Sequence, residues 1–136
     1  MLVAALVAGC AGSRVDVPFT IDTVRVGDET LQVWVADTAE ERAQGLKGIE
    51  ELPDGIDGVL FVWGDADQRV FTMEDTPMPL DIWWFDEDLR LAGVDTMLPC
   101  VSDPCPTYPS PVAISRALET PAGERALPAG ARLASG

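Results

Sequence analysis

Short apolar runs separated by turn residues make up most of this chain. In the segment FTIDTVRV the apolar positions are Phe19, Ile21, Val24 and Val26, and LQVWVAD has a similar, less regular alternation. Further runs are GVLFVW, RVFTME, LDIWWFD and LRLAGVDTM, each bounded by Gly, Pro or Asp. Alternation over such short segments is typical of β-strands. The pattern therefore predicts a single all-β domain of sandwich or barrel type over residues 18–136.

Two local signals refine this prediction. A Gly-Asp pair at 27–28, between the first two runs, indicates a hairpin turn. The segment DTAEERAQGLKG is the one place with helix signals, since Asp37 or Thr38 can cap its start and two glutamates occupy its first turn. Gly45 or Gly48 can end it. We therefore expect one short helix in an otherwise β-rich chain.

The first ten residues, MLVAALVAGC, are uncharged and apolar and place small residues before a cysteine. A bilayer span needs about 20 apolar residues, so this run is too short to cross a membrane, but it fits an export signal. LVAGC resembles a bacterial lipobox, which implies that Cys10 is acylated. We therefore expect a signal segment at 1–10, a tether at 11–17, and an exported lipoprotein held on the membrane of the cell envelope through Cys10. The alternative is an incidental apolar N-terminus with an ordinary cysteine.

Charge and composition limit the possible functions. The 136 residues carry 23 acidic and 9 basic side chains, a net charge of −14, and no histidine. Such a surface repels phosphate backbones, so nucleic acid is excluded as a partner. Without histidine, Ser-His-Asp and Cys-His catalysis cannot arise within the chain. Carboxylate chemistry remains, and Asp75 and Asp81 flank TPMPL as candidates, although Asp81 could simply fix a loop by accepting backbone N–H bonds.

Two of the three cysteines, Cys100 and Cys105, lie in the proline-rich segment TMLPCVSDPCPTYPSP. In an oxidising compartment such a pair favours a disulfide, which would stabilise a small loop by about 2 kcal/mol. A redox-active pair would need a basic neighbour, whereas Asp103 is acidic. A zinc site would need four ligands, and the chain offers these two thiols and no imidazole. We expect a structural disulfide, no metal and no cofactor, with a redox pair or a metal site as the alternatives.

The aromatic residues suggest a binding surface. Successive side chains of LDIWWFD point to opposite faces, and both faces are apolar. The strand is therefore either covered on both sides or presents an aromatic face to a ligand. Trp83 beside Tyr108 could stack on a sugar ring or a similar flat ligand. Arg42 and Arg116 could bind an anionic ligand, or pair with local carboxylates.

Three ordered blocks carry a family resemblance: ADTAEERAQGLKGIEELPDGIDGVLFVW, then FTMEDTPMPLDIWWFD, then MLPCVSDPCPTYPSP followed by ALETPAG. Over residues 31–119 the chain resembles the DUF192 family of small bacterial and archaeal β domains. The resemblance implies a jelly-roll type of sandwich and no defined chemistry. This chain departs from the family pattern at Asp75, where relatives commonly have an asparagine, and at Lys47, where they have a methionine. A carboxylate only accepts hydrogen bonds, so a donor role of that amide would be lost.

Two functional hypotheses follow. We favour a non-catalytic, lipid-anchored envelope module that binds a small ligand, a glycan or an envelope protein. Its candidate contact residues are Arg42, Met73, Asp75, Asp81, Trp83 and Tyr108. The alternative is a carboxylate-dependent hydrolase or lyase with Asp75 and Asp81 as acid and base. An enzyme of that kind requires carboxylates that converge in a concave pocket, with at least one raised pKa.

Overall fold

The structure is a computed structural model that describes residues 19–136. The signal segment at 1–10, its Cys10 lipidation site and the tether at 11–17 lie outside the described residues, so these predictions stay predictions. Within the described part, the chain contains no helix that is both long and apolar enough to cross a bilayer.

Nine strands and one short helix are found between residues 19 and 136. In chain order they are β1 (Thr20–Val26), β2 (Glu29–Ala36), α1 (Ala39–Gln44), β3 (Gly58–Asp67), β4 (Val70–Thr72), β5 (Leu80–Asp86), β6 (Leu91–Met97), β7 (Thr107–Pro109), β8 (Ile114–Pro121) and β9 (Leu133–Ser135).

Seven of these strands form one sheet in the order β6-β5-β8-β3-β2-β1-β9, and β4 pairs with β7 in a separate two-stranded ribbon. Strands β2 and β3 run parallel, and the other neighbours are antiparallel. The expected hairpin joins β1 to β2, with Val26 opposite Glu29. Gly27 in its turn has φ +61°, a left-handed conformation that glycine adopts without strain. The prediction of a single all-β domain with one short helix is confirmed.

The large sheet curls into a half-barrel around an apolar interior, the inner core. Its two edges meet at one end, where the Leu91 N–H donates to the Ala131 carbonyl and the Leu133 N–H donates to the Leu89 carbonyl, both at 2.8 Å. Because side chains from strands at both edges pack together, this cluster lies on the concave side. The inner core comprises Val24, Val26, Leu31, Val33, Leu60, Trp83, Phe85, Leu91, Leu118, Leu127 and Leu133.

The opposite face of the sheet carries a second apolar cluster, the outer core. The segment after α1 and the β4–β7 ribbon pack over it. Its buried members are Ala36, Leu46, Val59, Phe61, Met73, Met78, Leu80, Ile82, Trp84, Met97, Ile114 and Ala117. Strand β5 contributes to both cores and is buried from Leu80 to Phe85, so LDIWWFD is covered on both sides.

Helix α1 begins and ends where its sequence predicts. The Thr38 hydroxyl accepts the Glu41 N–H at 3.1 Å, and the Glu41 carboxylate accepts the Thr38 N–H in return, which forms a capping box. Gly45 closes the helix with φ +46°, and a Cβ at this position would lie 3.3 Å from the Phe61 ring. This close approach holds α1 against β3, where Arg42 Nη1 donates to the Val62 carbonyl at 2.9 Å.

Candidate functional site

An open pocket of about 410 Å³ lies where α1, β3 and the β4–β7 ribbon meet. We call it the Trp63 pocket. The described residues that line it are Arg42, Ala43, Lys47, Phe61, Trp63, Gln68, Arg69, Val70, Phe71 and Thr72. Pockets for small molecules typically measure about 300–1,000 Å³, so this volume suits a small ligand.

Aromatic rings from two strands form one side of the pocket. Phe61 and Trp63 alternate along β3, and their rings are nearly parallel with centroids 6.2 Å apart. Phe71 of β4 meets both rings edge-on, at 5.0 Å from Phe61 and 6.1 Å from Trp63. Phe71 also contacts Trp84 of the outer core at 5.5 Å. These contacts fix the aromatic side of the pocket to the core.

Three basic side chains also line the pocket. The Arg69 guanidinium lies 4.4 Å from the centroid of the Trp63 ring, and that of Arg42 lies 5.8 Å from it. Both distances are within the range of a cation–π interaction. Lys47, the single lysine of the chain, completes the set. Three of the nine basic residues therefore line one pocket of a strongly acidic protein.

Ser110 fixes the end of the β4–β7 ribbon where β4 begins and β7 ends. The Ser110 hydroxyl accepts the Arg69 N–H at 3.0 Å, and the Ser110 N–H donates to the Arg69 carbonyl at 2.7 Å. The Gln68 amide also donates to the Ser110 carbonyl. These bonds hold Gln68 and Arg69, which line the pocket, against the end of β7.

The structure brings one of the predicted ligand contacts, Arg42, into this pocket. Tyr108 lies next to it, half-buried on β7 opposite Phe71. Met73 is 1% exposed and belongs to the outer core. Arg116, the other candidate cation, donates to the Trp63 carbonyl at 3.1 Å and thereby supports β3.

The remaining predicted contacts lie apart from the pocket lining. Asp75 is exposed, has φ +55°, and accepts the Gly48 N–H through its backbone carbonyl at 2.8 Å. Asp81 is buried, with one carboxylate oxygen accepting the Thr96 hydroxyl at 2.7 Å and the other accepting the Gly123 N–H at 2.9 Å. Asp81 thus ties β5 to β6 and to the turn after β8.

Trp83, the last of these candidates, lies in the inner core and is 4% exposed. Its indole N–H donates to the Thr120 hydroxyl at 3.0 Å. The side chain is therefore packed and hydrogen-bonded within the domain, with little surface that a ligand could contact. Its assignment as a ligand contact stays a prediction.

The predicted disulfide is present. Cys100 and Cys105 are bonded, with Cα atoms 5.4 Å apart, and Cys100 packs against the outer core. The loop that they close leads through Pro106 directly into β7. The disulfide therefore holds the end of the ribbon where β4 ends and β7 begins. Strand β4 of this ribbon lines the Trp63 pocket.

Sequence reasoning did not single out Glu119. This residue on β8 is 4% exposed and has Val59 and Ile82 as its neighbours on the adjacent strands. Burial raises the pKa of Glu119 from an ordinary value of 4.5 to about 8. Its carboxyl group is therefore mostly protonated at neutral pH, unlike that of an exposed glutamate.

The pocket residues Trp63, Lys47 and Arg69 were missed as well. The available signal was the scarcity of basic residues, since a chain with 9 cations against 23 acids has few places that could attract an anion. That signal did not show that Lys47 and Arg69 would meet at the same pocket.

Fold and site together define a small all-β protein, a curled sheet with a basic and aromatic pocket on its outer face. The DUF192 family, described as "Uncharacterized ACR", matches residues 22–133, and the chain belongs to this family. A search of curated proteins gives no match.

Two solved structures resemble this fold. One is a proposed transcription regulator from Sinorhizobium meliloti 1021, with a TM-score of 0.77 and 23% identity, covering 89% of this chain and 98% of its own. The other is a protein of unknown function from Novosphingobium aromaticivorans, with a TM-score of 0.69 and 25% identity, covering 83% of this chain and 84% of its own. The likeness at 23% identity shows the fold alone.

Proposed function

We propose that this protein is a non-catalytic, lipid-anchored module of the cell envelope that binds a small ligand in the Trp63 pocket. The observation that carries the proposal is the joining of three basic side chains and three aromatic rings in one open pocket. Convergent polar groups on an apolar wall are the usual features of a small-molecule site.

The composition of the pocket favours binding over carboxylate catalysis. Among the described residues that line it, none is an aspartate or a glutamate. Asp81, a candidate acid or base, uses both carboxylate oxygens in hydrogen bonds to its own domain. The hydrolase or lyase alternative therefore has less support than the binding function.

Ligand binding can be tested with the full chain carrying Cys10→Ser, so that it remains unacylated. Single-ring compounds of differing charge (benzoate, phenyl phosphate, benzamide and benzylamine) are titrated while the indole N–H signals of the four tryptophans are followed by NMR. We expect at least one compound to shift the Trp63 signal at micromolar to millimolar concentration. Measured by calorimetry, which does not depend on the Trp63 signal, Trp63→Leu should abolish this binding, and Trp34→Leu, at a tryptophan outside the pocket lining, should preserve it. If no compound shifts the Trp63 signal, the binding function is wrong.

The envelope location rests on the LVAGC segment, and the Cys100–Cys105 disulfide fits an oxidising compartment. The test is intact mass of the protein recovered from the membrane fraction of its host. We expect a chain that begins at Cys10 and carries added acyl mass. A full-length, unacylated chain in the cytosol would contradict the anchoring.

A further inference from the structure

We propose that the ligand of the Trp63 pocket is an organic anion with a flat apolar part, and that Arg42 and Lys47 bind its charged group. This inference rests on the proposed binding function and adds the chemical class of the ligand.

The three cations of the pocket differ in how far they are already paired. Arg69 forms an ion pair with Asp65 at 3.0 Å and also donates to the carbonyls of Asp65 and Ile114. Its guanidinium is therefore largely occupied, and it lies against the Trp63 ring. Arg69 is best described as a positioning residue that holds the ring in place.

Arg42 and Lys47 have no carboxylate partner among the described residues. Arg42 spends one hydrogen bond on the Val62 carbonyl and has further guanidinium N–H groups to offer. No ion pair or side-chain hydrogen bond of Lys47 occurs in the described part of the chain. The chain has 23 acidic and 9 basic residues, so carboxylates are plentiful. A shortage of carboxylates therefore does not explain why these two cations are unpaired within residues 19–136.

The unpaired cations lie beside an apolar wall, which sets the second requirement on the ligand. Trp63 and Phe71 stand edge to face with centroids 6.1 Å apart, and both rings line the pocket, so they form an aromatic wall beside the two cations. A ligand with a carboxylate or phosphate and a ring would contact the cations and the aromatic wall together. A volume of about 410 Å³ limits it to a small molecule.

The net charge of −14 favours the binding of anions that carry a ring over that of bare anions. The acidic surface repels anions at long range, so an anion must gain enough locally to offset that repulsion. A bare anion such as inorganic phosphate gains only the contacts to Arg42 and Lys47. An anion with a ring also gains contact with Trp63, and we expect it to bind more tightly than the bare anion.

The same panel of compounds tests this class. Benzoate or phenyl phosphate should bind at least about tenfold more tightly than benzamide, because a charge-assisted hydrogen bond is stronger than a neutral one. Benzylamine should bind least, and inorganic phosphate more weakly than phenyl phosphate. If benzamide or benzylamine shifts the Trp63 signal as strongly as the anions do, the anion class is wrong while the binding function stands. If nothing binds, both proposals fall.

Matched variants then assign the cations. Arg42→Gln and Lys47→Gln should each weaken anion binding about tenfold, with little effect on a neutral ring compound. Arg25→Gln removes an exposed arginine of β1 outside the pocket and serves as the charge control; it should leave the affinity unchanged. Unaltered indole signals of Trp34, Trp83 and Trp84, which lie outside the pocket lining, show that the ligand-free variants are folded. If both variants bind benzoate and phenyl phosphate as the parent protein does, the assignment of Arg42 and Lys47 is overturned.

Discussion

Glu119 is the residue whose chemistry the fold changes most. It shares a face of β8 with Ala117 of the outer core, and its cross-strand neighbours are the aliphatic side chains of Val59 and Ile82. A carboxylate in such surroundings loses its hydration, so the neutral acid is favoured. The domain therefore folds around a proton that it would not bind when unfolded at neutral pH.

This proton predicts how stability depends on pH. The pKa of Glu119 is raised to about 8 in the folded protein from 4.5, so the folded state binds more protons than the unfolded state between these values. Its contribution to stability is therefore fully present below about pH 4.5, falls as pH rises, and levels off above about 8. Glu119→Gln should raise the free energy of unfolding by several kcal/mol at pH 9 and by little at pH 5, as measured by urea denaturation.

The matched control for this prediction is Glu124→Gln, at an exposed glutamate shortly after β8. It should shift the free energy of unfolding by less than about 0.5 kcal/mol at either pH. If Glu119→Gln has equal effects at pH 5 and pH 9, the buried-proton account of Glu119 fails.

Residues whose role depends on near neighbours could be predicted from the sequence, and residues whose role depends on distant ones could not. Thr38 and Gly45 act within one helix, and Cys100 and Cys105 lie five positions apart. By contrast, the pocket joins Lys47 to residues of β3 and β4 that are far along the chain. The strand pattern alone does not show which residues of a covered sheet face the pocket.

Among the elements, the β4–β7 ribbon connects the disulfide to the pocket. It lies outside the seven-stranded sheet, with Ser110 holding one end and the Cys100–Cys105 loop preceding the other. Two three-residue strands have little stability of their own. The ribbon therefore depends on the attachments at its ends.

Loss of the disulfide should loosen the end of the ribbon near Thr72 and Thr107. In a variant with both Cys100→Ser and Cys105→Ser, we expect hydrogen exchange to increase more at the amides of β4 and β7 than in β5 and β8, where it increases only as far as the global loss of stability requires. The free energy of unfolding should fall by about 2 kcal/mol, the value for closing so short a loop. Ser102→Ala, within the same loop, is the control and should alter neither quantity. Equal exchange in the ribbon with and without the disulfide would contradict its proposed role.

The strands themselves were more predictable than their partners. Five strands of the large sheet (β1, β2, β3, β5 and β6) overlap an apolar run that the alternation picks out, whereas β8 and β9 do not, and the β1–β2 hairpin follows from its two-residue turn. The parallel pairing of β2 with β3 depends on how α1 and the following loop cross over the outer core. Likewise, RVFTME reads as one more strand of a sheet, whereas β4 leaves the sheet and pairs with β7. Pairings of this kind are decided by packing between distant segments.

At the scale of the whole molecule, charge opposes the compact state. The net charge is −14, and between residues 19 and 136 the ion pairs are Arg69–Asp65 and the two contacts of Arg125 with Glu29 and Asp57. Most carboxylates in this part of the chain therefore have no paired cation. Folding concentrates this charge, because the unfolded chain can keep it farther apart.

Salt should therefore stabilise this protein. The Debye length falls from about 30 Å at 0.01 M to about 8 Å at 0.15 M, which screens repulsion between distant carboxylates. The few ion pairs lose some attraction at the same time, but exposed pairs contribute only about 0–1 kcal/mol each. We expect the free energy of unfolding in urea to rise by about 1–2 kcal/mol between 0.01 and 0.3 M NaCl, with most of the gain below 0.15 M. Sucrose, which strengthens burial without screening charge, separates the two causes. A gain that grows evenly up to high salt, as it does with sucrose, would mean that preferential exclusion and not charge screening stabilises the fold.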